Sequence, residues 1–150
     1  MALTNAKTDS LENGLLLLLF QNANFANIGD ATGLRGSTTA GSFYVSLHTA
    51  DPGEAGTQTT NEAAYVGYAR IGIARTSGGF VVTANSVSPA ANVTFGQCTS
   101  TPGATITHFG IGTAASGAGV LLYRGDLTPT IAMAVNVTPV ILAASTIVED

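Results

Sequence analysis

His48 and Asp51 stand three residues apart, Glu54 follows three further on, and His108 lies on a distant segment. Imidazole and carboxylate groups at such spacing could hold a divalent cation or share a proton. The residues around them point elsewhere. Asp51-Pro52-Gly53 has the composition of a turn, in which the aspartate accepts hydrogen bonds from the backbone that follows it. A Ser, His and Asp trio can be picked from any chain with this many serines, but no Gly-x-Ser-x-Gly elbow singles out a nucleophile. In Thr105-Ile106-Thr107-His108-Phe109, alternation turns His108 away from Phe109 and Ile111, as for an ordinary strand histidine. The glycines of Gly110-Ile111-Gly112 and Gly117-Ala118-Gly119 precede no helix whose N-terminus could meet a phosphate, so they read as strand ends and turns. No catalytic residue, metal ligand or cofactor-binding residue is expected, and the chain reads as a non-enzyme with no cofactor.

The elements that would carry these residues belong to a chain of unusual composition. Charged residues make up 9% of its 150 positions, hydrophobic residues 45%, and glycine occurs 18 times. An average soluble domain is about one-quarter charged. A neutral surface of Thr, Ser, Ala and Gly favours a protein partly covered by neighbours. The mean hydropathy of +0.34 is far too apolar for a disordered chain. Five cations, Lys7, Arg35, Arg70, Arg75 and Arg124, are scattered against a net charge of −4, and nucleic-acid binding needs a concentrated basic patch. No nucleic-acid partner is therefore expected. The single cysteine, Cys98, excludes an intramolecular disulfide and reads as a small buried hydrophobe. The apolar run from Leu15 to Phe20 follows Asp9 and Glu12 where a secretory segment would be basic. It is also much shorter than the ~20 residues of a bilayer span, so neither export nor a membrane partner is expected.

Residues 1–150 read as one domain in three parts. About 4–22 is the only substantial helix, with Thr4 or Asp9 as N-cap, Glu12 in the first turn, and Leu11, Leu15, Leu18 and Asn22 at helical spacing. It is apolar all round from Leu15 to Phe20, which predicts burial on more than one face, in the subunit's own core or between subunits. Residues 24–41 carry Asn, Gly, Asp and Thr without periodicity and read as an extended arm or loop, since loops beyond about 12–15 residues usually bind something. Residues 42–150 form the β-body. Phe43, Val45 and Leu47 alternate with Tyr44, Ser46 and His48, and further strands are expected at 68–75, 79–84, 92–95, 104–112, 119–124 and 139–148. Ser77-Gly78-Gly79 is the clearest hairpin candidate. The fold expected is mainly β, an antiparallel β-sandwich or jelly-roll-like domain with an N-terminal α-helix.

Tyr44-Val45-Ser46-Leu47-His48-Thr49-Ala50-Asp51-Pro52-Gly53-Glu54-Ala55-Gly56, followed by Asn61-Glu62-Ala63-Ala64-Tyr65 and Gly67-Tyr68-Ala69-Arg70, resembles a family of small virion proteins of tailed phages and prophages. The likeness continues through Ala74 to Phe80, Asn85 to Asn92 and His108 to Thr113, and so covers nearly the whole chain. Relatives often carry Trp where this chain has Phe80, which keeps an aromatic anchor. Family members are variously tail-fibre-like, minor structural or capsid-decorating, and the shared motif marks a framework of turns and strands with no chemical site to carry across.

The resemblance implies a virion structural protein, made in the host bacterial cytoplasm and assembled into the particle. The compact size favours a capsid decoration, or cement, protein on the outer capsid surface, a homo-oligomer, as a trimer, that binds the major capsid protein and stabilises the head. The alternative is a tail-fibre or tail-tip module packed on tail proteins, and a second alternative is a glycan-binding β-domain. Leu15, Leu18, Phe20 and Phe25 are the expected partner contacts of the helical segment, with Arg35 as a polar contact.

Overall fold

The structure is a computed structural model that describes residues 7–149. Thr4, one of the two expected N-caps, lies outside the described residues. Among the described residues the element order is one helix, α1 (Asp9–Gln21), then nine strands: β1 (Ser42–His48), β2 (Ile71–Ala74), β3 (Phe80–Thr83), β4 (Ser86–Pro89), β5 (Val93–Thr94), β6 (Ile106–Gly112), β7 (Leu121–Ile131), β8 (Val140–Ile141) and β9 (Ile147–Val148). The fold is mainly β, with antiparallel sheets and a single N-terminal helix, as the alternating pattern predicts. The chain divides into two compact units, each assembled from separated segments: residues 1–41, 74–92 and 142–150 in one, residues 42–73 and 93–141 in the other.

In the first unit α1 starts at Thr8, whose carbonyl accepts from Leu11 and Glu12 N–H while its side chain makes no cap bond. Asp9 is therefore the first residue of the helix and not its cap. The helix ends at Asn22, which takes the left-handed conformation (φ 54°) that asparagine tolerates and returns its N–H to the Leu17 carbonyl. Arg75 donates to the last carbonyls of Leu18 and Leu19 and to Ala40 O, placing a cation where helix carbonyls lack partners. The buried stripe is Glu12, Leu16 and Phe20, one step round from the expected Leu11, Leu15 and Leu18. Phe20 meets Phe80 edge to face at 4.9 Å, the preferred aromatic geometry.

The β3–β4 hairpin turns at Ala84-Asn85, with Ala84 at φ 52°, and β9 pairs on its far side in the order β3-β4-β9. The hairpin expected at Ser77-Gly78-Gly79 does not form. That segment is a turn in which Gly79 and Phe80 N–H both reach Thr76 O, neither Gly78 nor Gly79 adopts a positive φ, and the strands on either side join different sheets.

The second unit holds the four-stranded sheet β2-β1-β6-β7 and the pair β5-β8. β1 and β6 pair antiparallel with Leu47 opposite Phe109 and His48 opposite His108. Because side chains alternate across a strand, Val45, Leu47, Phe109 and Ile111 share one face, while Ser46, His48, His108, Arg124 and Asp126 share the other. The first face supplies core residues Val45, Leu47 and Ile111. The single strand expected at 139–148 is two short ones, broken by a turn in which Ser145 N–H reaches Leu142 O.

Candidate functional site

The polar face of the four-stranded sheet is where the chemistry-capable residues meet. Ser46 and His48 are both fully buried, with Ser46 Oγ 2.8 Å from His48 Nε2 and His48 Nδ1 2.9 Å from the Thr60 carbonyl. A carbonyl only accepts, so Nδ1 carries the proton, and the unprotonated Nε2 accepts from the Ser46 hydroxyl. Burial pushes the His48 pKa below its ordinary value, which keeps the ring neutral and the arrangement closed. A hydroxyl donating to an imidazole is the geometry of an activated nucleophile. Here a backbone carbonyl orients the ring and no solvent reaches the oxygen, so the pair acts as a hydrogen bond of the core.

Glycine makes this packing possible. A Cβ on Gly110 would fall 2.7 Å from His48 Nε2, Ser46 Oγ and Leu121 Cδ1 alike. A Cβ on Gly112 would lie 2.2 Å from the side chain of Gln58, another fully buried polar residue, which accepts from Ala114 N–H and donates to Tyr44 O. Gly112 ends β6 as expected, whereas Gly110 is a site of close approach inside the strand.

Beside them lies a lock built from the segment after β1. Glu62 takes a two-point hydrogen bond from Arg70, through Nε at 2.6 Å and Nη2 at 2.7 Å, and a third from Tyr68 OH at 2.9 Å. Arg70 also donates to the carbonyls of Ala114 and Gly117, tying down the β6–β7 loop, while Leu47 N–H donates to Tyr68 OH. Burial raises the Tyr68 pKa, so its phenol stays a donor. Tyr65, held by Gly96 O, is pushed up to about 12 by burial and by its neighbour Cys98. Tyr65, Tyr68 and Phe95 form one aromatic group, with ring centres 5.4 and 6.2 Å apart in succession. Tyr65 is therefore inside the unit.

At the rim, Asp51 accepts from Gly53 N–H at 2.9 Å, the turn expected from Asp51-Pro52-Gly53, and that bond leads the causes that lower its pKa. Arg124 Nη1 bridges both Asp51 oxygens at 2.7 and 2.8 Å. His108 places Nε2 2.8 Å from Asp126 and Nδ1 2.8 Å from Thr107 Oγ1. Among the described residues no three His, Cys, Asp or Glu side chains converge as metal ligands, and His48, Asp51, Glu54 and His108 form no such set. An open groove of about 400 Å³ runs between Gly53-Glu54 and Leu121 to Arg124.

The expected partner contacts fall in the first unit. Phe20 is fully buried on Phe80 and belongs to the core, whereas Leu15 and Leu18 are half-buried on the helix. Phe25 lays its ring on the helix where Gly14 leaves space. Arg35 is exposed and donates to Thr32 Oγ1. The expected extended arm folds back on itself: Phe25 and Leu34 exchange two backbone hydrogen bonds, Asp30 accepts from Thr32 and Gly33 N–H, and Asn22 clasps Ser37 on both sides. Sequence reasoning missed Ser46, Gln58, Glu62 and Arg70 as a connected set. Its only trace was that Ser46, Glu62 and Arg70 stand inside the segments that carry the family likeness, with Gln58 just outside them.

No helix among the described residues is long and apolar enough to cross a membrane. A search of curated proteins found no match. The family model of the podophage GP4 fiber I protein gp80 matches residues 6–149. That span takes in α1, the folded-back loop, the Glu62–Arg70 lock and every strand, so the chain belongs to the podophage GP4 fiber I protein gp80 family, a family of phage virion structural proteins.

Proposed function

We propose that this chain is a structural module of a phage tail fibre, acting by packing against copies of itself and neighbouring virion proteins and not by catalysis. The match to a fibre-protein family over residues 6–149 carries this reading. It favours the tail-fibre alternative over the capsid-decoration role that compact size alone put first. Composition agrees with it. Only 9% of residues are charged, and large apolar side chains stand exposed at Val120, Leu142 and Val148, surface that an isolated soluble domain would cover with charge.

In this reading the buried polar contacts are scaffolding. Glu62, Arg70, Tyr68, Gln58, Ser46 and His48 fix the loops around the four-stranded sheet, so that the module meets its neighbours as a preformed surface. Repetition along a fibre lets weak individual contacts sum to firm assembly. Gold-labelled antibody against the chain, applied to purified particles, tests the assignment. Label at the tail supports it, and label over the faces of the head returns the decoration role.

A further inference from the structure

In the three-stranded sheet β3-β4-β9, the two sides of β4 are held in different ways. β3 pairs with it over four residues, from Phe80 opposite Pro89 to Thr83 opposite Ser86, and Phe80 and Val87 are buried together with Leu16 and Phe20 of α1. β9 pairs with it over two, Ser86 opposite Val148 and Val87 opposite Ile147. No residue from 142 to 149 is buried: Ile147 is half-buried and Val148 is 55% exposed. Polar bonds near its two ends hold this segment along β4. Ala143 N–H donates to Asn92 Oδ1, beyond one end of the strand. At the other end Glu149 N–H donates to Asn85 O, and Asn85 Nδ2 donates to Glu149 O. Lys7, ahead of the helix, donates to the Glu149 carboxylate at 2.6 Å, with the two side chains 33% and 19% exposed.

We propose that residues 142–149 form a releasable strap, latched by Lys7 and Glu149, that opens while α1 and the β3–β4 hairpin stay folded. A segment opens locally when few apolar groups leave burial with it and water reaches its hydrogen bonds. The strap meets both conditions. Leu16, Phe20, Phe80 and Val87, the buried core of this region, all belong to the helix and the hairpin, and opening strips only the half-buried Ile147 from beside Val87. Asn85 and Asn92 flank β4, so the strap is clipped at both ends and comes away as one piece. The latch joins it to the residue just ahead of the helix, and because solvent reaches both charges, ionic strength sets its hold. Closed, the strap covers the outer backbone of β4, which would otherwise stand as a strand edge open to addition. It is a guard on that edge whose grip weakens with salt.

Hydrogen exchange on the full chain, read amide by amide by nuclear magnetic resonance, tests the strap without any variant. The amides of Ala143, Ser145 and Glu149, which donate to Asn92, Leu142 and Asn85, should be at least about 100-fold less protected than those of Leu16 to Phe20 in α1. Low urea should leave their exchange unchanged while it speeds that of the helix, because local opening exposes little surface. Raising salt from about 0.05 to 0.5 M should speed the Glu149 amide about 3-fold relative to the helix. Lys7→Gln should give the same gain at low salt and abolish the response to salt. Strap amides that match the helix in both protection and urea dependence would show a fixed strand of the sheet and overturn the proposal. A strap that opens locally but is indifferent to salt and to Lys7→Gln would overturn the latch.

Discussion

The second unit contains two arginine–carboxylate pairs of similar length and opposite surroundings. The Arg70 side chain is 2% exposed and Glu62 16%, whereas Arg124 and Asp51 are 32% and 49% exposed. Arg70 spends its remaining donors on two loop carbonyls and shares Glu62 with Tyr68, so every partner depends on the others. Arg124 bonds Asp51 through one nitrogen. With only five cations in the chain, burial decides the use of each. A buried guanidinium becomes a fixed joint, because removing it strands several polar groups. An exposed one is hydrated when its partner leaves, so little else depends on it.

Breaking the buried joint should have the largest effect. Arg70→Ala leaves the Glu62 carboxylate and the carbonyls of Ala114 and Gly117 without their donor, a loss of about 3–5 kcal/mol for a buried pair. Urea denaturation followed by far-UV circular dichroism measures it. A loss below about 1 kcal/mol would place this pair with the surface ones and erase the contrast.

Next comes the glycine that shelters the neighbouring Ser46–His48 pair. Gly110→Ala brings a methyl group within 2.7 Å of three atoms, two of them fixed by their own hydrogen bond, so overpacking should cost about 1–3 kcal/mol. The same substitution at Gly78, where the nearest atom to an added Cβ is 3.7 Å away, should cost far less under the same denaturation assay.

These glycines show what the sequence could disclose and what it could not. Strand β1 was legible because Phe43, Val45 and Leu47 alternate with polar residues, and the Asp51 turn because Pro and Gly follow the aspartate. The helix was legible as a helix but not in its facing. Leu15 to Phe20 is apolar throughout, so the buried line is chosen by Phe80 and its neighbours, and it includes Glu12, which no hydropathy rule would bury. β4 was missed because Ser86-Val87-Ser88-Pro89 offers a single large apolar residue, and its turn uses Ala84 at positive φ instead of glycine. The Glu62–Arg70 lock and the need for Gly110 are facts about segments far apart in sequence, which local pattern does not encode.

His48 sharpens the same contrast through pH. Its pKa in the folded chain lies below the ordinary value, so between about pH 6.5 and that lowered value the unfolded chain binds a proton that the folded chain refuses. Stability is then complete above about pH 6.5 and falls as pH drops through the window, with a slope of at most about 1.4 kcal/mol per pH unit from this group. Urea midpoints at pH 7.5, 6.5 and 5.5 measure it, and His48→Gln should flatten its share of the slope. An unchanged slope in that variant would mean that the buried imidazole does not govern acid sensitivity.

The smallest effect on folding should come from the exposed pair. Arg124→Ala removes two contacts to Asp51, but both ends are hydrated in its absence, and exposed pairs contribute about 0–1 kcal/mol. Asp51 keeps its bond from Gly53 N–H, so the turn that positions it survives. Denaturation midpoints should therefore barely move, and raising salt from 0.05 to 0.5 M should erase what difference there is. A loss near that of Arg70→Ala would show that the rim pair is as structural as the buried one. Arg124 would then be a joint of the subunit in spite of its exposure.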